Sequence, residues 1–300
     1  MPADEPTPVA RHRDIRLLVL DIDGTITDSL HGIPAATRDA IARIGRAGIH
    51  VALATGRRYR DALPVATALG IDQPLVTASG GLIKRPRDHA TLFAARFAAD
   101  TLQRILGVIA RRGFDPVVYT DGFAAGHDFT CRRLPAAEIV DATGLDAYLA
   151  RNRAVARVRA DLVTAPPADA FAGFAMGPRE AMLEVEAAIA AACPGEVSLH
   201  TIRSPRLREW MCEFAPAGVT KWSGATRLAE ALGITAAEIC AVGDDLNDLP
   251  MIRNAGLGIA VGNAAEAVRS AAHLVVATSD TGALVEVADL LLAGRTTEPT

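Results

Sequence analysis

Aromatic residues make up only 4% of this 300-residue chain, so its interior must be filled with small and branched aliphatic side chains; half of all residues are apolar. Lysine is scarcer still, with Lys84 and Lys221 alone among 31 basic residues. The four cysteines, Cys131, Cys193, Cys212 and Cys240, have neither a C-x-x-C nor a metal-ligand spacing. That argues against a disulfide framework or zinc site and for buried, reduced thiols. No apolar run reaches the length of a membrane span. Residues 1–14 are polar, hold three prolines and lack the apolar centre of a signal peptide. The net charge of −4 leaves no basic footprint for nucleic acid. These absences predict a soluble cytoplasmic protein that binds neither nucleic acid nor membrane. They say nothing of its oligomeric state.

What is present is concentrated at one place. The apolar run Leu17-Leu18-Val19-Leu20 leads into Asp21-Ile22-Asp23-Gly24-Thr25. Alternation along a strand puts Asp21 and Asp23 on the same side. Two carboxylates that close repel unless a cation or a shared proton relieves them. Gly24 supplies the tight turn that frees both from the strand end. A calcium-binding EF-hand loop is excluded: Gly24 comes too early, and the twelfth position is Gly32 rather than Glu.

Three further segments stand where a strand gives way to a loop or where a helix opens. They are Leu53-Ala54-Thr55-Gly56-Arg57, Val219-Thr220-Lys221, and Gly243-Asp244-Asp245-Leu246-Asn247-Asp248 after the apolar run 239–242. In an open parallel sheet such positions gather around one crevice. In this order the four motifs resemble the haloacid dehalogenase (HAD) superfamily of phosphohydrolases, and within it the Cof-type branch with a large cap. The resemblance covers about residues 15–292.

Its implications are specific. Asp21 would be the nucleophile that forms an aspartyl-phosphate. Asp23 would be the general acid and then the base, and its presence favours a phosphatase or phosphomutase over a dehalogenase. Thr55, the Gly56 backbone, Lys221 and Asn247 would hold the phosphoryl oxygens. Mg²⁺ would be bound by Asp21, the Asp23 carbonyl and Asp244, with Asp248 as a supporting or alternative ligand. Asp245 is expected to face solvent or brace the loop, and Thr27 and Asp28 to cap the next segment. The lysine bias bears on Lys221: a chain that uses arginine for ordinary positive charge keeps a compact ammonium where the motif needs one. Lys84 lies in the basic turn Lys84-Arg85-Pro86-Arg87, where arginine should serve equally well.

The pattern predicts an α/β fold, a Rossmann-like parallel sheet core with an inserted α+β cap. The core would comprise 15–83 and 215–292, the cap 84–214, with tails at 1–14 and 293–300. Core strands are expected at 15–22, 49–54 and 74–78, and helices at 35–47 and 58–69, the second kinked or interrupted at Pro64. In the cap, strands are expected at 115–120, 157–163, 170–176, 196–202 and 207–214, and helices at 99–112 and 178–192. Strands that follow one another without helices between them predict antiparallel pairing.

Several features are set aside. Gly256, Gly258 and Gly262 imitate a dinucleotide fingerprint, but the third glycine comes one place late and the motif does not open the first strand–helix unit. His127, Asp128 and Trp210 could line a pocket, though single residues of these types are more often structural. Arg203, Arg206 and Arg208 fit a solvated strand face better than an anion site. Ser79-Gly80-Gly81 replaces the Asn-Gly-Ala common among relatives, which alters the reach of that loop. The expected activity is Mg²⁺-dependent hydrolysis of a small phosphorylated metabolite, a sugar phosphate before nucleotide or cofactor phosphates. A sugar phosphomutase is the first alternative, and a non-catalytic phosphometabolite-binding protein the second.

Overall fold

The computed structural model describes residues 14–136, 144–204, 207 and 209–293. Most of both expected tails, together with Arg206 and Arg208, lies outside the described residues. The chain forms two compact units. One contains residues up to Arg57, Asp61–Thr91 and the chain from Thr220 onward; the other contains Arg58–Arg60 and Leu92–Val219.

The first unit is built on a parallel sheet in the order 274–275, 257–260, 239–243, 17–20, 50–53. Leu17–Leu20 is central and wholly buried, with His50–Leu53 on one side and Ile239–Gly243 on the other. That explains a continuous apolar run instead of an alternating one. A bridge from Ala54 to Val76 carries the parallel order on to Leu75–Thr77. Because consecutive strands lie to one side of the central strand and later ones to the other, the chain direction switches beside Leu20 and Val242. Asp21 begins there, its N–H donating to the Val242 carbonyl at 3.1 Å.

Helix Ala35–Arg46 packs on Ala283–Leu292, and Lys221–Ala231 packs on Leu249–Asn254. Ala35–Arg46 stops where Gly48 takes φ +80°. Helix Tyr59–Leu69 runs through Pro64 without the expected interruption. Pro64 lies at the middle of the helix, and the backbone bond it forgoes is the one that would reach the Arg60 carbonyl. The glycines at 256 and 258 are packing devices. A Cβ on Gly256 would lie 2.1 Å from the Ala237 carbonyl oxygen, and one on Gly258 1.9 Å from that of Ile252.

Lys84, expected in a basic turn, lies instead in a strand. It ends the strand Leu82–Lys84, is 4% exposed, and donates to Thr91 Oγ1 at 2.7 Å. The strand Leu82–Lys84 pairs back on Leu75–Thr77, and that hairpin buries the residue read as part of the turn.

The second unit carries a six-stranded sheet in the order 197–203, 210–216, 172–177, 117–119, 129–131, 156–158. Its pairings are antiparallel except for the last. Helices Ala99–Arg111 and Arg179–Ala192 cover one face through Leu102, Ile105, Ile109, Met182, Val185 and Ile189. The expected strand at 157–163 ends at Val158, because the Asp161 carbonyl accepts from the N–H groups of Thr164 and Ala165 and turns the chain. Strand Phe129–Cys131 and helix Gly144–Arg151 were not foreseen. All four cysteines are buried and unbridged. Among the described residues no helix is long and apolar enough to cross a membrane.

Candidate active site

The four motifs meet within the first unit, at the strand ends beside the switch point. Asp21 is 4% exposed, Lys221 2%, and Asp248 fully buried. Lys221 Nζ donates to Asp21 Oδ1 at 2.7 Å and to Asp248 Oδ1 at 2.6 Å. The lysine is placed there by its helix, which starts at a capping box: Thr220 Oγ1 accepts from Ser223 N–H while Ser223 Oγ accepts from Thr220 N–H.

Asp248 also organises its own loop. Its Oδ2 accepts the backbone N–H groups of Asp244 and Asp245, at 3.0 and 3.1 Å. Asp245 Oδ1 accepts from Leu246 N–H at 2.7 Å, so Asp245 braces the loop as expected. Asp244 is tied to the first motif by Thr25, whose hydroxyl donates to Asp244 Oδ1 at 3.1 Å. Gly24 takes φ +79°, and a Cβ there would lie 2.3 Å from Asp244 Oδ2. That position therefore requires glycine for both conformation and space. Asp28 caps the segment that follows it, as expected, whereas Thr27 binds back to the preceding turn. Thr27 Oγ1 accepts from Gly24 N–H and donates to Ile22 O; Asp28 Oδ1 accepts from Leu30 and Gly32 N–H.

Thr55 is buried, its backbone bonded to Val76 O and Ser79 N–H and its hydroxyl accepting from Arg57 N–H at 3.1 Å. Ser79 adopts φ 53° and its neighbour Ala78 φ 48°, so the Ser79-Gly80 turn is held in left-handed conformations that asparagine would adopt more readily. Asp23 is gripped by Arg57, with Nε to Oδ2 and Nη2 to Oδ1 each 2.7 Å. Arg57 and Thr25 carried no expected role. The signal for Arg57 was its place directly after Thr55-Gly56.

Three carboxylates, from Asp21, Asp244 and Asp248, each place an oxygen within 4.8 Å of the others. Burial, then the neighbouring carboxylates, push Asp21 up to about 7 although Lys221 opposes the shift. Burial, with Asp21 and Asp248, pushes Asp244 up to about 9. Burial disfavours the Lys221 ammonium, but Asp21 and Asp248 outweigh it and raise its pKa above the ordinary lysine value. One ammonium therefore leaves this group under-neutralised, and an oxygen-only donor set of this density suits a hard divalent cation. Asn247 supplies a second sign of a missing ligand: it is 5% exposed, and its side-chain Oδ1 has no hydrogen-bond partner. Amide oxygen and nitrogen are interchangeable in such an assignment, so the orphan position can equally present a donor to an anion.

The other residues singled out lie elsewhere. In the second unit, Trp210 stacks under Arg179 at 5.2 Å and packs against the helix-covered core. Asp128 is buried between Arg58 and Arg60. His127 packs over Gly122, where a Cβ would come within 2.5 Å of its ring. Arg203 is the exposed end of strand Val197–Arg203.

The model of the haloacid dehalogenase-like hydrolases matches residues 18–287. The chain belongs to this family. Phosphatase YwpJ of Bacillus subtilis is 28% identical over 290 residues, covering 89% of this chain and 96% of that protein. Pyridoxal phosphate phosphatase YbhA of Escherichia coli is 23% identical over 279 residues, covering 90% and 96%. The crystal structure of a haloacid dehalogenase-like hydrolase from Bacteroides thetaiotaomicron superposes with a TM-score of 0.74 at 24% identity, covering 92% of this chain and 98% of that one. The hydrolase is thus an α/β protein of the haloacid dehalogenase fold.

Proposed function

We propose that this hydrolase is a Mg²⁺-dependent phosphatase of small phosphate monoesters, with sugar phosphates the first substrate class. The observation that carries the reading is the Lys221 ammonium fixed between Asp21 and Asp248, with Asp244 alongside. Covalent catalysis by a buried carboxylate splits one difficult displacement into two easier ones. In this reading an Asp21 oxygen attacks phosphorus, and Asp23 gives a proton to the departing alkoxide. Asp23 then takes a proton from the water that cleaves the aspartyl-phosphate. Lys221, the Thr55 hydroxyl, the Gly56 N–H and the Asn247 amide would hold the phosphoryl oxygens as charge develops.

Asp21, Asp244 and the Asp23 carbonyl would hold the Mg²⁺. Three of the roughly four acceptor positions of the Asp248 carboxylate are filled, leaving one for the ion. When bound, the cation supplies the charge neutralisation that lets a carboxylate approach a phosphate dianion. The second unit, which we take as the inserted cap, would select the leaving group.

The test is phosphate release by purified protein from a panel of metabolite monoesters, with Mg²⁺ or with chelator. Activity should vanish with chelator, and Asp21→Asn should lose at least about three orders of magnitude, because an amide is a poor nucleophile. Near-normal turnover by that variant would refute the mechanism. Beryllium fluoride should inhibit only with Mg²⁺ present.

A further inference from the structure

We infer that Arg57 is a positioning residue for proton transfer at Asp23, so that the enzyme's ability to expel a poor leaving group depends on it. The inference rests on the phosphatase reading and names a part of that site which the four motifs leave without a role. The geometry is that of a clamp. Two parallel donors, Nε and Nη2, each meet a different oxygen of Asp23 at 2.7 Å. Both side chains are well covered, 12% and 21% exposed. A planar fork on a carboxylate fixes its orientation as well as its position, which a lysine in the same place cannot do.

The clamp is itself anchored. Arg57 N–H donates to Thr55 Oγ1 at 3.1 Å, and its carbonyl accepts from Ala78 N–H at 2.9 Å. The guanidinium is thus mounted on the same loop as the expected phosphate-binding hydroxyl. Thr55 and Asp23 are thereby held in register, although they come from different strands. Direct phosphate binding is the competing role for this arginine. It fits less well, because the Nε and Nη2 pair that forms the fork is already spent on Asp23.

The clamp engages both oxygens of Asp23, with one donor on each. As phosphorus bonds to an Asp21 oxygen, the bond from phosphorus to the leaving oxygen breaks. That oxygen keeps the electron pair and takes the proton carried by Asp23. The carboxylate so formed is the partner the guanidinium already faces.

The experiment compares two esters by kcat/KM, which reports steps through leaving-group departure. One is 2,4-dinitrophenyl phosphate, whose phenolate leaves unprotonated. The other is a primary alkyl phosphate that the wild-type enzyme hydrolyses. Arg57→Met should lose about 100-fold on the alkyl ester, within the range of general acid help, and less than about fivefold on the aryl ester. Arg57→Lys should fall between wild type and Arg57→Met on the alkyl ester. Asp23→Asn should show the same split, and the double variant should be no worse than Asp23→Asn, because the two act as one unit. Equal losses on both esters in Arg57→Met and Arg57→Lys would overturn the inference. So would losses that multiply in the double variant. Failure of the underlying reading looks different: Asp21→Asn would keep turnover, or the wild type would hydrolyse neither ester.

Discussion

Gly24→Ala separates a strained turn from a displaced carboxylate, because the fold contains its own control. Gly24 and Gly48 have nearly the same φ, +79° and +80°. A Cβ at Gly48 meets nothing within 4 Å, whereas one at Gly24 lies 2.3 Å from Asp244 Oδ2. Holding a non-glycine residue left-handed costs about 1–2 kcal/mol at either site. For a unit of this size that lowers Tm by roughly 2–8 °C. Only at Gly24 must something also move. To reach ordinary contact the Asp244 oxygen has to retreat by about 1 Å, a displacement of the kind that costs about 100-fold in rate when it affects reacting groups. Gly24→Ala should therefore lose about two orders of magnitude in kcat/KM and need more Mg²⁺ for half-maximal activity. Gly48→Ala should lose a similar few degrees of Tm with kcat/KM intact. Thermal melts and initial rates over a Mg²⁺ titration measure all three quantities. Equal Tm losses with Gly24→Ala still within threefold of wild type in rate would mean that Asp244 is not needed where the fold holds it.

Lys221→Arg should lower kcat/KM about 100-fold with charge retained, since a planar fork cannot sit between Asp21 and Asp248 as an ammonium does. Lys84→Arg, with its lysine buried against Thr91, should lower Tm and leave kcat/KM unchanged; a large rate loss there would show that Lys84 acts on the site. The raised carboxyls give a pH signature. Asp21 and Asp244 hold protons in the folded, metal-free protein at pH values where the unfolded chain has lost them, so metal-free stability falls as pH rises from about 4 through the folded values. Mg²⁺ competes for the same oxygens, so the Tm gained on adding it should grow from about pH 6 to about pH 8.5. Binding should also release protons, seen by calorimetry as heats that vary with the buffer's ionisation enthalpy. A Mg²⁺ effect on Tm that shrinks with pH would place the ion elsewhere.

The fold was legible where one physical constraint dominates. A buried central strand reads as a continuous apolar run, and Leu17–Leu20 was unmistakable for that reason. The helices at 35–46, 99–111 and 179–192 announce themselves by an apolar face and a defined stop. Short strands such as Phe129–Cys131 were invisible, because three residues carry no period and their identity comes from the partners on either side. Pro64 shows that a lost backbone bond need not end a helix whose residues continue on both sides.

The site divides along the same line. Asp21, Asp23, Asp244 and Lys221 were nominated because each stands at a strand end or a helix start, and the fold brings Asp21, Asp244 and Lys221 together there. Composition alone was a weaker guide. The scarcity of lysine pointed to a constrained ammonium at 221, but it equally marked Lys84, which was expected in a basic turn and is buried against Thr91. Both lysines are buried with the ammonium on oxygen partners, so the bias reports confinement, and function is only one cause of confinement. Arg57 is the converse case. In a chain with this many arginines its identity carried little information beyond its place after Thr55-Gly56, and the two 2.7 Å contacts to Asp23 distinguish it. A residue whose role is to orient another leaves no spacing of its own in the sequence, because the distance that matters runs between strands. That is why the leaving-group experiment on Arg57 tests a role to which its place in the second motif gave no content.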